Sequence, residues 1–347
     1  MITDTHERCV RRKCWAVDCL TPMISLVSIK TAEHVGSVKK ERPATPMTLS
    51  PNMARPSRTE ARCRVCGGSL EPKWQLLVLD RHEADYHECV ACGCLQIISP
   101  HWLDEAYRSE GAATATNPDS GRFCRNFSAY IFLRALHHAG FLESRPVVLD
   151  YGGGSGILTA MFSLAGFHCR QFDPYCPLPL LEPERAYTDA TEIPAASFDL
   201  VTALEVFEHL IDPLETIRQL AAFLTPNGVI AISTGLYNRG RHGPDWPYLS
   251  RTAGQHVTIY GRQSLAVLGK AAGLETVCLF PSDEGFLILF TRREKKAVRP
   301  LLRRAAKYIG NKKLHSLWTA GAWDILPRLG ARPMREPVFL QGISASH

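Results

Sequence analysis

Three groups of residues along the 347-residue chain have types and spacing that can do chemistry. The first is a pair of Cys-x-x-Cys-Gly knuckles, Cys63/Cys66 and Cys89/Cys92, with 22 residues between them. Each knuckle presents two thiolates, and its glycine lets backbone N–H groups turn toward sulfur. Four thiolates close a tetrahedral zinc site with no open position, so such a site is structural and not catalytic. Cys94 is a spare that can take the place of Cys92. Disulfides are the alternative, and no secretion signal favours them.

The second group is Asp150-Tyr151-Gly152-Gly153-Gly154-Ser155-Gly156, directly after the apolar run Val147-Val148-Leu149. Glycines here permit positive φ and close approach of a ligand to the backbone, and the helix that follows offers unpaired N–H groups. A dinucleotide fingerprint would set Gly or Ala three residues after its second glycine, and Ile157 stands there instead. Asp173, 23 residues after Asp150, falls at the end of the next strand, where a carboxylate can accept both ribose hydroxyls of NAD or of an adenosyl ligand. Asp189 lies at the following strand end and suits an adenine edge. An acid two residues before the loop is better tolerated by a ligand without pyrophosphate.

The third group is Glu205-Val206-Phe207-Glu208-His209 with the distal His256. Glu205 and Glu208 are three apart and His209 is four from Glu205, so one helical turn would gather all three on one side. Two carboxylates and an imidazole suit a hard divalent metal such as magnesium, or a general base; a purely structural His209 is the alternative. His256 follows a long polar and aromatic stretch, Tyr237 to Gly254, of the kind that forms acceptor pockets. It reads either as a pocket residue or as a cap at a helix entry.

The elements that must position these groups alternate. Strands are expected at Lys73–Leu79 and Gln96–Ile98, with a helix over His101–Glu110. From Phe123 to Ala139 a helix leads into strands at Val147–Asp150, Cys169–Phe172, Phe198–Leu204 and Val229–Ser233. Helices are expected at Ile157–Ala165, Leu214–Leu224 and Arg262–Ala272, the second stopping at the turn signal Pro226-Asn227-Gly228. Thr276–Phe280 and Phe286–Phe290 are close enough to pair antiparallel at an edge. Such alternation predicts a parallel sheet with helices on both faces.

The glycine loop, Asp173 and Asp189 resemble motif I and the following motifs of the class I S-adenosylmethionine (SAM) methyltransferases, over about Phe123 to Arg292. The resemblance implies an α/β, Rossmann-like seven-stranded fold with a small N-terminal zinc ribbon. In it Gly152, Gly154 and Gly156 line the methionine and ribose part of SAM, with Asp150 and Glu205 also at the cofactor. Asp173 holds the ribose hydroxyls and Asp189 reads adenine N6. The run Glu205–His209 is similar to the ExxEH element of many methyltransferases. In quinone-precursor O-methyltransferases and small-RNA 2′-O-methyltransferases such residues bind a divalent metal, and the RNA branch adds a later histidine, here His256. Many relatives use no metal, which leaves Glu205, His209 and His256 as base or orienting residues. The knuckles, Pro100, Leu103 to Tyr107 and Gln255 to Tyr260 resemble a bacterial group with an N-terminal zinc segment that acts on sugars, glycans or small metabolites. Ribosomal-RNA guanine methyltransferases also join a zinc ribbon to this fold. Methyl transfer to a hydroxyl of a sugar, glycan or small metabolite is the expected activity, with RNA as the alternative acceptor. A non-catalytic zinc-binding adaptor with a degenerate methyltransferase fold is the reading from another class.

The net charge of +6 divides as +5 over residues 1–62, −9 over 63–291 and +10 over 292–347. The body is acidic and the basic character belongs to the ends, which weakens a nucleic-acid reading of the whole. Expected domains are a disordered extension (1–62), a zinc-ribbon module (63–110), a linker (111–122), the methyltransferase domain (123–292) and a basic tail (293–347). Met47 and Met53 make an upstream start codon an alternative account of the extension. In the tail, Ala297 to Tyr308 can form an amphipathic helix for RNA or an anionic membrane, or a solvated element packed on the body. No apolar run approaches the ~18–20 residues of a membrane-spanning helix, and a cytoplasmic protein is expected.

Overall fold

Apolar side chains that alternate along the central strands decide which face of the sheet each helix covers. In the computed structural model, which describes residues 61–108, 120–175, 185–278 and 287–309, β4 (Val147–Tyr151), β7 (Phe198–Leu204) and β8 (Leu224–Ser233) form the middle of a sheet buried on both faces. Val148, Leu200, Val229 and Ala231 pack in one core with α2 (Ser120–His138), α3 (Ile157–Leu164) and α6 (Lys295–Ile309). Their neighbours Leu149, Val201, Ile230 and Ile232 pack in the other, with α4 (Pro213–Phe223) and α5 (Arg262–Ala271).

With β5 (His168–Phe172), β6 (Ala186–Tyr187), β10 (Glu275–Cys278) and β11 (Ile288–Thr291), the sheet has seven strands in the order β10-β11-β8-β7-β4-β5-β6. The pairs from β8 to β6 are parallel, whereas β11 is antiparallel to both β8 and β10. The Rossmann-like α/β fold and its antiparallel edge are therefore as expected. The chain leaves β4 in one direction across the sheet and later returns to its other side as β7. Ligands in such sheets bind beyond the carboxyl ends of the strands at this switch point, which puts the turns after Tyr151 and Leu204 side by side.

Two local readings are corrected. Pro226-Asn227-Gly228 does not separate helix from strand: α4 ends at Phe223 and β8 starts at Leu224. Pairing runs from Phe198↔Leu224 to Leu200↔Val229, so the extra residues of β8, including the turn-forming triplet, are absorbed as an irregularity in the ladder. The second concerns His82–Cys89, for which the hydrophobic pattern predicts no element and which forms β2. Its signal is a period of two, with Ala84, Tyr86 and Glu88 buried and Glu83, Asp85 and His87 more exposed, masked by the charge of Glu88.

β1 (Leu70–Val78), β2 and β3 (Leu95–Ile97) form an antiparallel sheet that takes its fourth strand from far along the chain, β9 (Thr258–Ile259). The core beneath it is shared in the same way: Val78, Tyr86, Ile97 and Trp102 pack with Tyr237, Leu249, Val257 and Ile259. The module read as 63–110 is thus built partly from 237–259. All described residues fall in one compact unit, Arg55–His347. The expected extension (except Ala61 and Arg62), residues 111–119 of the linker and the tail beyond Ile309 lie outside the described residues.

The amphipathic helix of the tail is α6. Val298 and Ala305 are buried, and Leu301, Leu302 and Tyr308 pack on the core beside α2, so its apolar face is already covered by the body. Lys295, Lys296, Arg299, Arg303 and Lys307 stay exposed on the other side. No described helix is long and apolar enough to cross a membrane.

Candidate functional site

The two knuckles bring their sulfurs together. Cys63 and Cys92 Sγ are 3.6 Å apart, Cys66 and Cys89 Sγ 3.4 Å, and all four lie within 4.8 Å of one another as free cysteines. Gly67 and Gly93 have φ of +70° and +69°, which closes each knuckle through Gly67 N–H to Cys63 O and Gly93 N–H to Cys89 O. The N–H groups of Val65 and Gly68 point to the sulfurs of Cys63 and Cys66, each at 3.4 Å. A tetrahedron of ~2.3 Å Zn–S bonds has sulfur–sulfur edges of about 3.8 Å, close to this spacing. Cys94 is fully buried outside the group, so Cys92 is the fourth member.

The turn after β4 is built by its glycines. Gly152, Gly154 and Gly156 have φ of +71°, +56° and +85°, and a Cβ on Gly152 would stand 2.5 Å from Val206. Gly154 N–H donates to Asp173 Oδ2 at 2.7 Å, and Tyr175 N–H to Oδ1 at 2.8 Å, which ties the loop to the end of β5. Arg122, which the sequence did not single out, reaches over from α2: its guanidinium would lie 3.4 Å from a Cβ on Gly154. Asp189 is exposed and caps the short turn Ala190–Glu192, with Oδ1 accepting from the N–H and hydroxyl of Thr191 at 2.8 Å each. Those bonds hold its carboxyl below the usual range.

Asp150 does not face the loop's open side. It is 2% exposed and accepts from Thr202 Oγ1 at 2.7 Å and Thr159 Oγ1 at 3.0 Å, pinning β4 to β7 and to α3 beneath the glycines. Burial pushes its carboxyl up to about 6, against two hydroxyl bonds that pull it down. A carboxyl raised on folding contributes its stability below about pH 4 and loses it as pH rises through about 6. Asp150→Asn removes that dependence. Relative to wild type, its unfolding free energy measured in urea is expected to rise by up to ~3 kcal/mol between pH 4 and 7. A constant difference would show that Asp150 is ionised throughout.

The turn after β7 departs from the expected helical turn. Glu205 closes the strand in the left-handed region, with φ of +53°, and only Phe207–His209 form a short 3-10 turn. Glu205 and Glu208 therefore diverge. Ser233 Oγ donates to Glu205 Oε1 at 2.7 Å, while Glu208 turns inward and accepts from Tyr248 O–H at 2.7 Å. The ligand atoms of Glu208, His209 and His256 converge within 4.8 Å, and Glu205 is not among them. The rings of His209 and His256 stand edge to face, 4.9 Å between centroids.

Burial sets the charge of this cluster. It raises the Glu208 carboxyl, with help from the neighbouring Glu205, and lowers both imidazoles, His209 to about 3 with further help from His256 and Arg122. Glu208 Oε2 is buried without a hydrogen-bond partner among the described residues. His256 Nδ1 lies 2.6 Å from the Tyr248 carbonyl, which can only accept, so Nδ1 carries the proton and Nε2 a lone pair. His209 Nδ1 is 3.2 Å from the hydroxyl of Tyr107, a residue of α1 (Leu103–Arg108) in the cysteine module. Tyr107 also stacks on Tyr175 with 4.8 Å between ring centroids. Tyr248 falls in the stretch expected to form the acceptor pocket and Tyr107 in the segment that resembles the zinc-bearing group, but their contacts with Glu208 and His209 are long-range and no local pattern states them.

Residues 120–279 match a methyltransferase-domain family. The ubiquinone biosynthesis O-methyltransferase of Bradyrhizobium diazoefficiens is 33% identical over 122 residues, 32% of this chain and 46% of that protein. The protein of the same name from Aromatoleum aromaticum is 30% identical over 159 residues, 40% of this chain and 67% of its own length. The chain spans about half the length of most of the curated relatives it matches. A solved structure of CalO1, a methyltransferase in calicheamicin biosynthesis in its SAH-bound form, is similar with a TM-score of 0.40 and 15% identity, over 55% of this chain and 61% of that one. With the seven-stranded sheet and the glycine loop at its switch point, the chain belongs to the class I SAM-dependent methyltransferases.

Proposed function

We propose that the protein transfers the methyl group of SAM to a hydroxyl oxygen of a sugar, a glycan or another small metabolite. The observation that carries this reading is the position of a neutral histidine pair beyond β7, beside a glycine loop beyond β4. SAM, when bound, supplies a methyl group already activated on a cationic sulfonium. The chain supplies place and base. Gly152, Gly154 and Gly156 are assigned the methionine and ribose part, since their positive φ turns the backbone of the loop, and Gly152 further lets Val206 of the neighbouring turn pack against it. Asp173, at the foot of this loop, is assigned the ribose hydroxyls, Asp189 the adenine edge, and Arg122 the methionine carboxylate. Glu205, held in a strained backbone conformation by the strand end, is assigned to the methionine end of the pocket. Asp150 supports the loop from below and does not touch the cofactor.

His256 is the base in this reading. Its Nδ1–H is fixed on the Tyr248 carbonyl, so Nε2 is free to take the hydroxyl proton, and its burial keeps it neutral. His209 orients the acceptor beside it. The four cysteines hold a structural zinc, a reading supported by their spacing and by donors that are all sulfur.

Glu208 Oε2, without a hydrogen-bond partner among the described residues, favours a second reading, in which Glu208, His209 and His256 hold a divalent metal. Two imidazoles and one carboxylate suit a first-row transition metal or zinc better than magnesium, which takes oxygen ligands. Chelation with the cysteine zinc retained separates the two: unchanged turnover rejects the metal.

Calorimetry with SAM tests the reading at its base. Wild type is expected to bind, and Asp173→Ala to weaken binding by about 100-fold, the loss of a charged double hydrogen bond. No binding by the folded wild type would overturn the assignment. A screen with radiolabelled methyl across cell-extract fractions, nuclease-treated or not, then identifies the acceptor class; label lost with nuclease would point to RNA.

A further inference from the structure

The segment that carries His256 is fastened from the cysteine module. Arg64, between the two cysteines of the first knuckle, donates from Nη1 to Val257 O at 3.0 Å and Thr258 Oγ1 at 3.1 Å. Its Nη2 donates to Ile97 O at 2.6 Å and Ile98 O at 3.3 Å, so one guanidinium joins β3 to the residues after His256. On the other flank, Trp102 Nε1 donates to Gly254 O at 2.9 Å and Gln255 Nε2 to Ala106 O at 3.1 Å. His256 is thereby bracketed by fastenings at 254, 255, 257 and 258, each of them to residues 64–106. The same module delivers Tyr107 to His209.

We propose that Arg64 and Tyr107 are positioning residues of the methyl-transfer site, Arg64 setting His256 and Tyr107 setting His209, so that the site is complete only when the cysteine module is folded. The inference rests on the reading of the histidine pair given above. Arg64 suits the task because a planar fork with five donors can serve four oxygens at once, which a lysine ammonium cannot. Its backbone is fixed by the knuckle: Arg64 N–H donates to Gln96 Oε1 at 3.0 Å, and the flanking cysteines are gathered at the cluster. Arg64 thus links the first knuckle directly to the residues that follow His256. The Tyr107 ring, stacked on Tyr175 two residues beyond Asp173, brings the same module to the rim of the cofactor loop.

The test compares full-length, zinc-loaded wild type with Arg64→Lys and Tyr107→Phe. Calorimetry measures SAM affinity, and radiolabelled SAM measures methyl transfer to the extract fraction that the wild type labels. Spectra of 15N-histidine protein follow the His256 Nδ1–H proton and the tautomer of His209. Both variants are expected to keep SAM affinity within about twofold and to lose about tenfold or more in transfer rate, the cost of a misplaced catalytic group. Arg64→Lys should also speed exchange of the His256 ring proton, and Tyr107→Phe should change the His209 tautomer signal. Variants that transfer methyl at the wild-type rate and keep both ring signals overturn the proposal. A wild type that binds no SAM overturns the functional reading instead, while the ring signals still decide the positioning. If Arg64→Lys does not fold, Tyr107→Phe decides, since it removes a single oxygen.

Discussion

Serine at both Cys63 and Cys66 is expected to strip the cysteine cluster of its metal and to melt the module around it, whose core at Trp102 is shared with residues 237–259. Structural zinc in small modules is worth ~10–16 kcal/mol of folding, as much as the whole stability of an ordinary domain. The core around Trp102 is small, and Val78, Tyr86, Val257 and Ile259 cannot replace a loss of that size. Metal analysis should fall from about one zinc per chain to none, as the closed four-thiolate site requires. The fluorescence of Trp102, 1% exposed in the folded protein, should shift to the red as water reaches it. Because the module also carries Tyr107 and fastens the segment of His256, methyl transfer should be lost with it. A double variant with wild-type fluorescence and wild-type stability to within ~1 kcal/mol would show that the cluster is not a structural zinc site.

His256→Ala is the second large effect. A positioned general base contributes ~10²- to 10⁴-fold, so the transfer rate should fall by that factor while SAM affinity stays within about twofold. The split between the two constants matters, because a collapsed pocket would lose both. In the wild type, burial lowers the imidazole, so the base form persists as pH falls below the ordinary histidine range. The acid limb of the rate profile should therefore lie below pH ~6.5. An acid limb at or above that value, or an alanine variant with the wild-type rate, would remove His256 from the reaction. His209→Ala is expected to lower the transfer rate by about tenfold or more, as Tyr107→Phe does, because both remove the orientation that His209 gives the acceptor.

Much of the fold was legible because its signals are local. Val147-Val148-Leu149 followed by glycines states a buried strand and a tight turn within ten residues, and the structure has them there. The edge pair β10 and β11 followed from a short connection. β2 was hidden because Glu88 occupies an inward position, where Lys73 and Arg239 pair with it, and partners 15 and 151 residues away leave no mark on a hydrophobic pattern. Glu205 was misplaced for a related reason. Its spacing to Glu208 and His209 is helical, but the strand end and the Ser233 bond hold it at positive φ, so the carboxylates part.

The sequence alone determined the chemistry that each segment can offer: sulfurs in pairs, a backbone cleared by glycine, an imidazole beside carboxylates. These depend on residue type and on neighbours within a turn or two, which the chain states directly. Tertiary structure alone decided which of them meet. Glu208 rather than Glu205 joins the histidines, Asp150 is turned beneath the loop, and Tyr107 and Arg64 become part of the site. Each of those outcomes depends on contacts between segments about 40 to 190 residues apart, and no local pattern encodes such a meeting.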